Sequence, residues 1–182
     1  MSVFVAWMPD DEARAALADL QRSVRDCLGV HAARLRWRPR DRLHMTVRYL
    51  GDGPALAAEV LRALPALLAP VCRDAAPCSV PLERIEVWPQ ALVARACAEP
   101  TLLALFAAVE AAVRASGGLP ETRDPSPHVT LAYAGRSRPL PVPAMPRAGF
   151  PTLRVDALHL VESGRFGYRT IACWPLQGTA TP

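Results

Sequence analysis

Two stretches of this chain repeat one another, and the repeat narrows the folds open to it. The first is Leu43-His44-Met45-Thr46-Val47-Arg48-Tyr49-Leu50-Gly51 and the second is His128-Val129-Thr130-Leu131-Ala132-Tyr133-Ala134-Gly135. Aligned on histidine, His44 matches His128, Thr46 matches Thr130, Tyr49 matches Tyr133 and Gly51 matches Gly135. The offset is constant (128 − 44 and 130 − 46 are both 84). β-Branched, aliphatic and aromatic residues dominate each stretch and glycine closes it, so both read as strands. Side chains alternate faces along a strand. In a regular strand His44, Thr46 and Arg48 share one face, and Met45, Val47 and Tyr49 share the other. His128 and Thr130 likewise share a face. Tyr49 and Tyr133 then point away from the histidines and read as core packing.

The flanking segments suggest two related lobes. Ser2–Trp7 reads as a strand. Asp11–Leu28 carries Ala13, Leu17, Leu20, Val24 and Leu28 at helical spacing, with acidic residues at its start and Gly29 at its end. Strands are expected at 33–38, 79–88, 92–98, 152–162 and 168–176, besides the two motif strands. A helix is expected at 55–64, kinked or ended by Pro65. Another starts at Pro100-Thr101 and closes at Gly117-Gly118. The Pro-rich segment 135–151 reads as a long loop. The order β-α-β-β-α-β-β-α-β-β-β, with short connections between strands, implies an α+β fold with largely antiparallel sheets. Residues 1–177 are expected to form one domain and 178–182 a frayed tail.

Composition removes several classes. Half of the 182 residues (51%) are hydrophobic, enough for a packed core. No apolar run reaches bilayer-spanning length. The N-terminus lacks a basic leader and an apolar signal region, so a cytoplasmic monomer is expected. The five cysteines are scattered, odd in number and without a C-x-x-C pair, which suggests free thiols. Net charge is +4, and every basic residue is arginine. Any phosphate held by a side-chain cation is therefore held by a guanidinium fork. There is no Gly-rich phosphate loop and no dinucleotide fingerprint.

The histidine face carries the chemistry. Two imidazoles on opposite sides of a phosphorus centre form an acid–base pair, with a pKa suited to both jobs. The Thr46 and Thr130 hydroxyls are placed to donate to non-bridging oxygens, and Arg48 to add a charged contact. Such a site needs no metal and no cofactor. A zinc site built on His44 and His128 is the weakest alternative, because no carboxylate or thiolate sits nearby at ligand spacing. Arg34, Arg36, Arg38, Arg40 and Arg42 fall on alternate positions before the first motif. They form either a basic rim for a polyanion or a solvated strand face, with Arg38 and Arg40 the foremost RNA contacts. Trp37 is placed either to stack a base or to pack internally, and Arg136 to reach the site from the Pro-rich loop. His31 and His159 read as structural.

These residues resemble the 2H phosphoesterases, and among them the RNA 2′,3′-cyclic phosphodiesterases, also called 2′-5′ RNA ligases. The resemblance runs from the Phe4-Val5-Ala6 strand through both His-x-Thr motifs to Trp174-Pro175-Leu176. It implies a bilobal fold with two antiparallel sheets facing a central cleft and helices outside. It implies His44 and His128 as acid and base, with Thr46 and Thr130 on the phosphate. The reaction implied is metal-independent hydrolysis of a ribose 2′,3′-cyclic phosphate, at an RNA or nucleotide end, to a 2′-phosphate. His128 is taken as base and His44 as acid, although the near-symmetry of the motifs allows the roles to be exchanged. One departure stands out: where the RNA-processing branch often has arginine after the second motif, this chain has Tyr133. Two alternatives stay open. One is a phosphodiesterase or ligase for 2′-5′ linkages or small cyclic nucleotides. The other is an RNA-end-binding module with vestigial catalysis.

Overall fold

The computed structural model describes residues 2–52, 58–135 and 149–179. Arg136 and most of the Pro-rich loop lie outside the described residues. The strands are β1 (Ser2–Trp7), β2 (Leu35–Trp37), β3 (Met45–Asp52), β4 (Cys78–Trp88), β5 (Ala91–Ala96), β6 (His128–Ala134), β7 (Thr152–Val155), β8 (Ala157–Gly164) and β9 (Gly167–Pro175). The helices are α1 (Asp11–Leu28), α2 (Ala58–Asp74) and α3 (Pro100–Ala115). The hydrogen-bonded path is β7-β4-β5-β6-β3-β1-β8-β9, with β2 paired to β6 off this path. Every pairing is antiparallel.

The path has two matching halves. In one, β1–α1–β3 places β1 beside β3, with β8 on its other side. In the other, β5–α3–β6 places β5 beside β6, with β4 on its other side. The motif strands β3 and β6 meet at the centre through one register pair, Met45 with Val129. A single core lies on the helix face: Val3, Val5, Trp7, Met45, Leu92, Ala94 and Val129 pack with Leu17, Leu20 and Val24 of α1 and Leu64 and Leu68 of α2. The opposite face holds the histidines, so the helices lie outside and the cleft face stays open to a ligand.

α1 starts as its sequence dictates: the Asp10 carboxylate accepts from the Ala13 amide at 2.8 Å, and Gly29 closes the helix at φ 52°. α2 corrects an expectation, because it runs through Pro65 and Pro70 to Asp74. Each proline removes a helical hydrogen bond, at about 3 kcal/mol. Val60, Leu64, Leu68 and Cys72 recur every four residues and are all buried. A fully buried Leu returns about 1.5–3 kcal/mol, so tertiary packing outweighs the local preference. The strand expected at 152–162 is two strands. β7 pairs with β4 at one edge of the sheet and β8 pairs with β1 in the other half. Asp156 carries the chain between them. The expected tail is docked at its start, where Gln177 and Gly178 donate to the carbonyls of Cys72 and Ala75 at the end of α2. A Cβ at Gly178 would sit 2.2 Å from the Asp74 carbonyl oxygen, so only glycine fits there.

Both motif strands carry an extra residue at equivalent places, and β3 carries a second, Leu50, between Tyr49 and Gly51. In β3, Thr46 pairs with Ala6 and Arg48 with Val5, which leaves Val47 over. In β6, Thr130 pairs with Val93 and Ala132 with Leu92, which leaves Leu131 over. Val47 and Leu131 are themselves separated by the repeat interval (131 − 47 is 84). A bulge of this kind reverses the facing of the residues beyond it, in β3 as far as Tyr49. His44 and Thr46 therefore stay on the cleft face, whereas Arg48 joins Val5 on the helix face. The expectation that Arg48 shares the His44 face is corrected. Tyr49, opposite Phe4, turns to the cleft side and is 46% exposed rather than in the core. Tyr133, opposite Ala91 and Arg36, turns to the cleft side too.

Candidate active site

Each histidine is held in the same way. His44 Nδ1 donates to the Arg42 carbonyl at 2.9 Å, and His128 Nδ1 donates to the Ser126 carbonyl at 2.6 Å. A carbonyl only accepts, so Nδ1 carries the proton in both rings. Each neutral Nε2 is left with its lone pair free to take a proton and, once charged, to give one up. Pro127 forces the chain before His128 to stay extended, which aims the Ser126 carbonyl back at the ring. The rings are also fixed by aromatic neighbours. Phe4 stacks on His44 at 4.9 Å, Tyr168 meets it edge-on at 5.2 Å, and Trp88 lies 4.4 Å from His128.

The two imidazoles lie within electrostatic reach of each other. Burial pushes His44 down to a pKa of about 4, and the charges of Arg38 and His128 push the same way against its bond to Arg42. Burial also lowers the pKa of His128, where Arg95 adds to the effect and Ser126 and Glu86 oppose it. Both rings are thus neutral in the free protein at neutral pH, and among the described residues a carboxylate, Glu86, acts on His128 alone.

Cations approach from places that the motif alone does not reveal. Arg38 leaves β2 and spans the two halves, with its Cζ 5.4 Å from the Tyr133 ring and 5.6 Å from the Tyr168 ring. It donates to the Tyr168 hydroxyl and, at 3.2 Å, to the Arg42 carbonyl. Arg95 pairs in register with His128 and donates to the Ser126 hydroxyl. The Nε of each arginine is buried with no hydrogen-bond partner among the described residues. A buried, unpaired donor is costly unless a ligand meets it. Arg38 is such a guanidinium beside His44, whereas Arg95, beside His128, is already ion-paired through Nε with Glu86 at 3.7 Å.

The remaining candidates are distributed as follows. Thr46 and Thr130 are half-buried on the cleft face, two residues after their histidines. Arg48 forms an ion pair with Glu110 of α3 at 2.6 Å and donates to the Leu119 carbonyl, away from both imidazoles. Arg40 donates to the Asp11 carbonyl at 3.2 Å, at the start of α1. Trp37 is half-buried against the core, donates to the Ala32 carbonyl at 3.1 Å and is covered by Arg25. Sequence reasoning missed Arg95, Tyr168, Phe4 and Trp88. Only their strand pairing brings them to the histidines, and no local pattern marks them. Among the described residues no cluster of three His, Cys, Asp or Glu side chains has metal-ligand geometry, and no helix is long and apolar enough to cross a membrane. A cavity of about 700 Å³ between the end of α2 and the start of α3 contains neither histidine.

Comparison with known proteins places this geometry. The family model described as the 2′-5′ RNA ligase superfamily matches residues 9–165. TT0787 of Thermus thermophilus is 25% identical with a TM-score of 0.76, over 99% of this chain and 100% of that one. E. coli LigT in apo form is 20% identical with a TM-score of 0.70, over 96% of each chain, and LigT has also been crystallised with 3′-AMP. The MHV ns2 PDE domain is 14% identical with a TM-score of 0.59, over 85% of this chain and 87% of that one. A search of curated protein sequences gave no match. With its paired His-x-Thr strands, mixed α+β architecture and a family match over most of its length, this chain belongs to the 2′-5′ RNA ligase superfamily of 2H phosphoesterases.

Proposed function

We propose that the protein hydrolyses a ribose 2′,3′-cyclic phosphate at an RNA or nucleotide end to the 2′-phosphate, without a metal ion. The observation that carries this reading is the matched pair of Nδ1-to-carbonyl bonds, which leaves two Nε2 atoms for proton transfer. His128 Nε2 takes a proton from water as the water oxygen bonds to phosphorus. The bond from phosphorus to O3′ breaks, and His44 Nε2 protonates the departing oxygen. Thr46 and Thr130 donate to the non-bridging oxygens, where charge is held in the transition state. Arg38 and Arg95 add charge-assisted donors in place of Arg48.

The deeper burial of His44 supports this division of roles, since it leaves that ring the stronger acid. On the His128 side Glu86 favours an imidazolium, while Arg95, ion-paired with it at 3.7 Å, opposes one more strongly. Arg38, beside His44, adds to the effect of burial there. The bound anionic phosphate offsets Arg38 and draws the proton of the pair to His44. Two measurements test the reading. The protein is incubated with 2′,3′-cyclic-phosphate-ended RNA in excess chelator, and the product is identified. Full turnover to a 2′-phosphate is expected. A strict metal requirement would sink the mechanism, and a 3′-phosphate product would reverse the leaving oxygen.

The second measurement is the pH profile of kcat/KM, which reports the free protein. The productive form has one histidine charged and one neutral. Below about 4 both are charged, and above the lowered His128 pKa both are neutral. The optimum is therefore expected between pH 4 and 6.5, with activity falling as pH rises beyond it, whichever ring is the acid. A kcat/KM that climbs steadily to pH 8 would contradict the assignment of these two groups.

A further inference from the structure

Beyond the histidines, on the same face, Arg34, Arg36, Gln90, Tyr133 and the Ala134-Gly135 backbone line a cavity of about 460 Å³. Arg36 pairs in register with Tyr133 and lies over its ring, Cζ to centroid 5.4 Å. Arg38 lies over the same ring at the same distance and connects it to the His44 side. Neither Arg34 nor Arg36 forms an ion pair with a described carboxylate, and both are exposed. The rest of the arginine run is committed elsewhere. Arg40 is tied to α1, and Arg38 sits between two tyrosines. Among the described residues the cavity is thus cationic and walled by an aromatic ring that fixes one of its guanidinium groups.

Its position follows from the second bulge. With Leu131 extra, Tyr133 turns to the cleft side three residues past Thr130. At strand rise that is roughly 10 Å from the phosphate contact, a step on the order of one nucleotide. Without the bulge the tyrosine would face the helices, and this wall would not exist. Sites of about this size accommodate a nucleotide-sized group. Guanidinium groups without a described carboxylate partner favour a phosphodiester, and the Gln90 side-chain amide offers a donor and an acceptor to a base edge.

We propose that this cavity is a subsite for the nucleotide preceding the reacting end, which makes the preferred substrate an RNA chain rather than a free cyclic mononucleotide. The proposal rests on the cyclic-phosphate reading above. Arg34 and Arg36 grip the preceding phosphodiester without regard to sequence, and Tyr133 holds Arg36 in place by cation–π contact. The position where the RNA-processing branch often has arginine is here filled by an aromatic support for arginines supplied by β2 and the segment before it.

The test compares a 2′,3′-cyclic-phosphate-ended trinucleotide with the matching nucleoside 2′,3′-cyclic phosphate. Wild-type protein, Arg36→Ala, Tyr133→Ala and the double variant Arg34→Ala/Arg36→Ala are assayed at several salt concentrations. Wild type is expected to favour the trinucleotide by about tenfold or more in kcat/KM. The double variant is expected to lose that preference, keep its rate on the mononucleotide, and show a weaker salt dependence. Equal wild-type rates on both substrates, or a parallel loss on both in the double variant, would overturn the subsite. Binding of a fluorescent trinucleotide with a 2′-phosphate end separates the two proposals. If wild type turns over neither substrate yet binds this probe through Arg34 and Arg36, the subsite stands and the cyclic-phosphate reading falls. Probe binding unchanged by the double variant removes the subsite whatever the activity.

Discussion

Replacing His44 or His128 with alanine is expected to lower turnover of a 2′,3′-cyclic phosphate by about 10²–10⁴-fold in each case, the range for a lost general acid or base. The double variant is expected to be little worse than either single one, because the two rings act on one transition state and their losses do not add. The rings are held by matching backbone bonds, so a variant that folds loses the proton carrier while the sheet keeps its register. Thermal unfolding of each variant checks that point. The two roles are separated by the leaving group. A phosphodiester whose leaving group departs unprotonated, such as a nitrophenolate, makes the acid dispensable. It is expected to restore most of the activity of His44→Ala and little of that of His128→Ala. The opposite pattern would exchange the roles, and equal rescue of both would sink the acid–base pair. Unchanged turnover in either variant on the natural leaving group would remove that histidine from the mechanism.

The strands that hold the histidines were legible because a two-residue period survives any surrounding. His44 with Thr46, and His128 with Thr130, face the cleft as their spacing predicts. The facing fails one residue further on. Val47 and Leu131 are extra residues opposite β1 and β5, and nothing in Thr46-Val47-Arg48 or Thr130-Leu131-Ala132 marks a bulge. A bulge is a relation between two strands, so it has no local pattern to read. The same limit hid Arg95, whose importance lies only in standing opposite His128. α2 shows the converse: Pro65 and Pro70 are strong local signals, and four buried residues on one stripe override them. The break at Asp156 is another such relation. Leu153 and Val155 alternate in one phase and Leu158 and Leu160 in the other, and the separate partners of β7 and β8 show that this slip divides two strands.

Because of that bulge, Arg48 and Arg38 exchange the roles that the first motif suggests, and the exchange is open to a direct test. Arg48→Ala is expected to leave kcat/KM within about twofold, since the Arg48 guanidinium faces α3. Its cost is to stability. The Arg48 side chain is 11% exposed and that of Glu110 25%, so the pair lies between a surface pair, worth up to about 1 kcal/mol, and a fully buried pair, whose rupture costs about 3–5 kcal/mol. A loss of about 2 kcal/mol follows, or a fall in Tm of about 4–8 °C for a chain of this size. Arg38→Ala is expected to do the reverse. It removes a guanidinium beside His44 whose buried Nε lacks a partner, and the loss of one charge-assisted contact to phosphate lowers kcat/KM by about 10- to 100-fold. Arg38→Lys is expected to recover only part of this, because an ammonium cannot reach the phosphate, Tyr168 and the Arg42 carbonyl with one planar fork. Arg38→Ala also removes the charge that helps hold the His44 pKa near 4, so the acidic limb of the pH profile should move toward neutrality. A purely structural Arg38 would lower stability without moving that limb. Were Arg48→Ala instead to abolish turnover at unchanged Tm, the facing of β3 beyond Val47, and with it the assignment of the phosphate-binding cation, would be wrong.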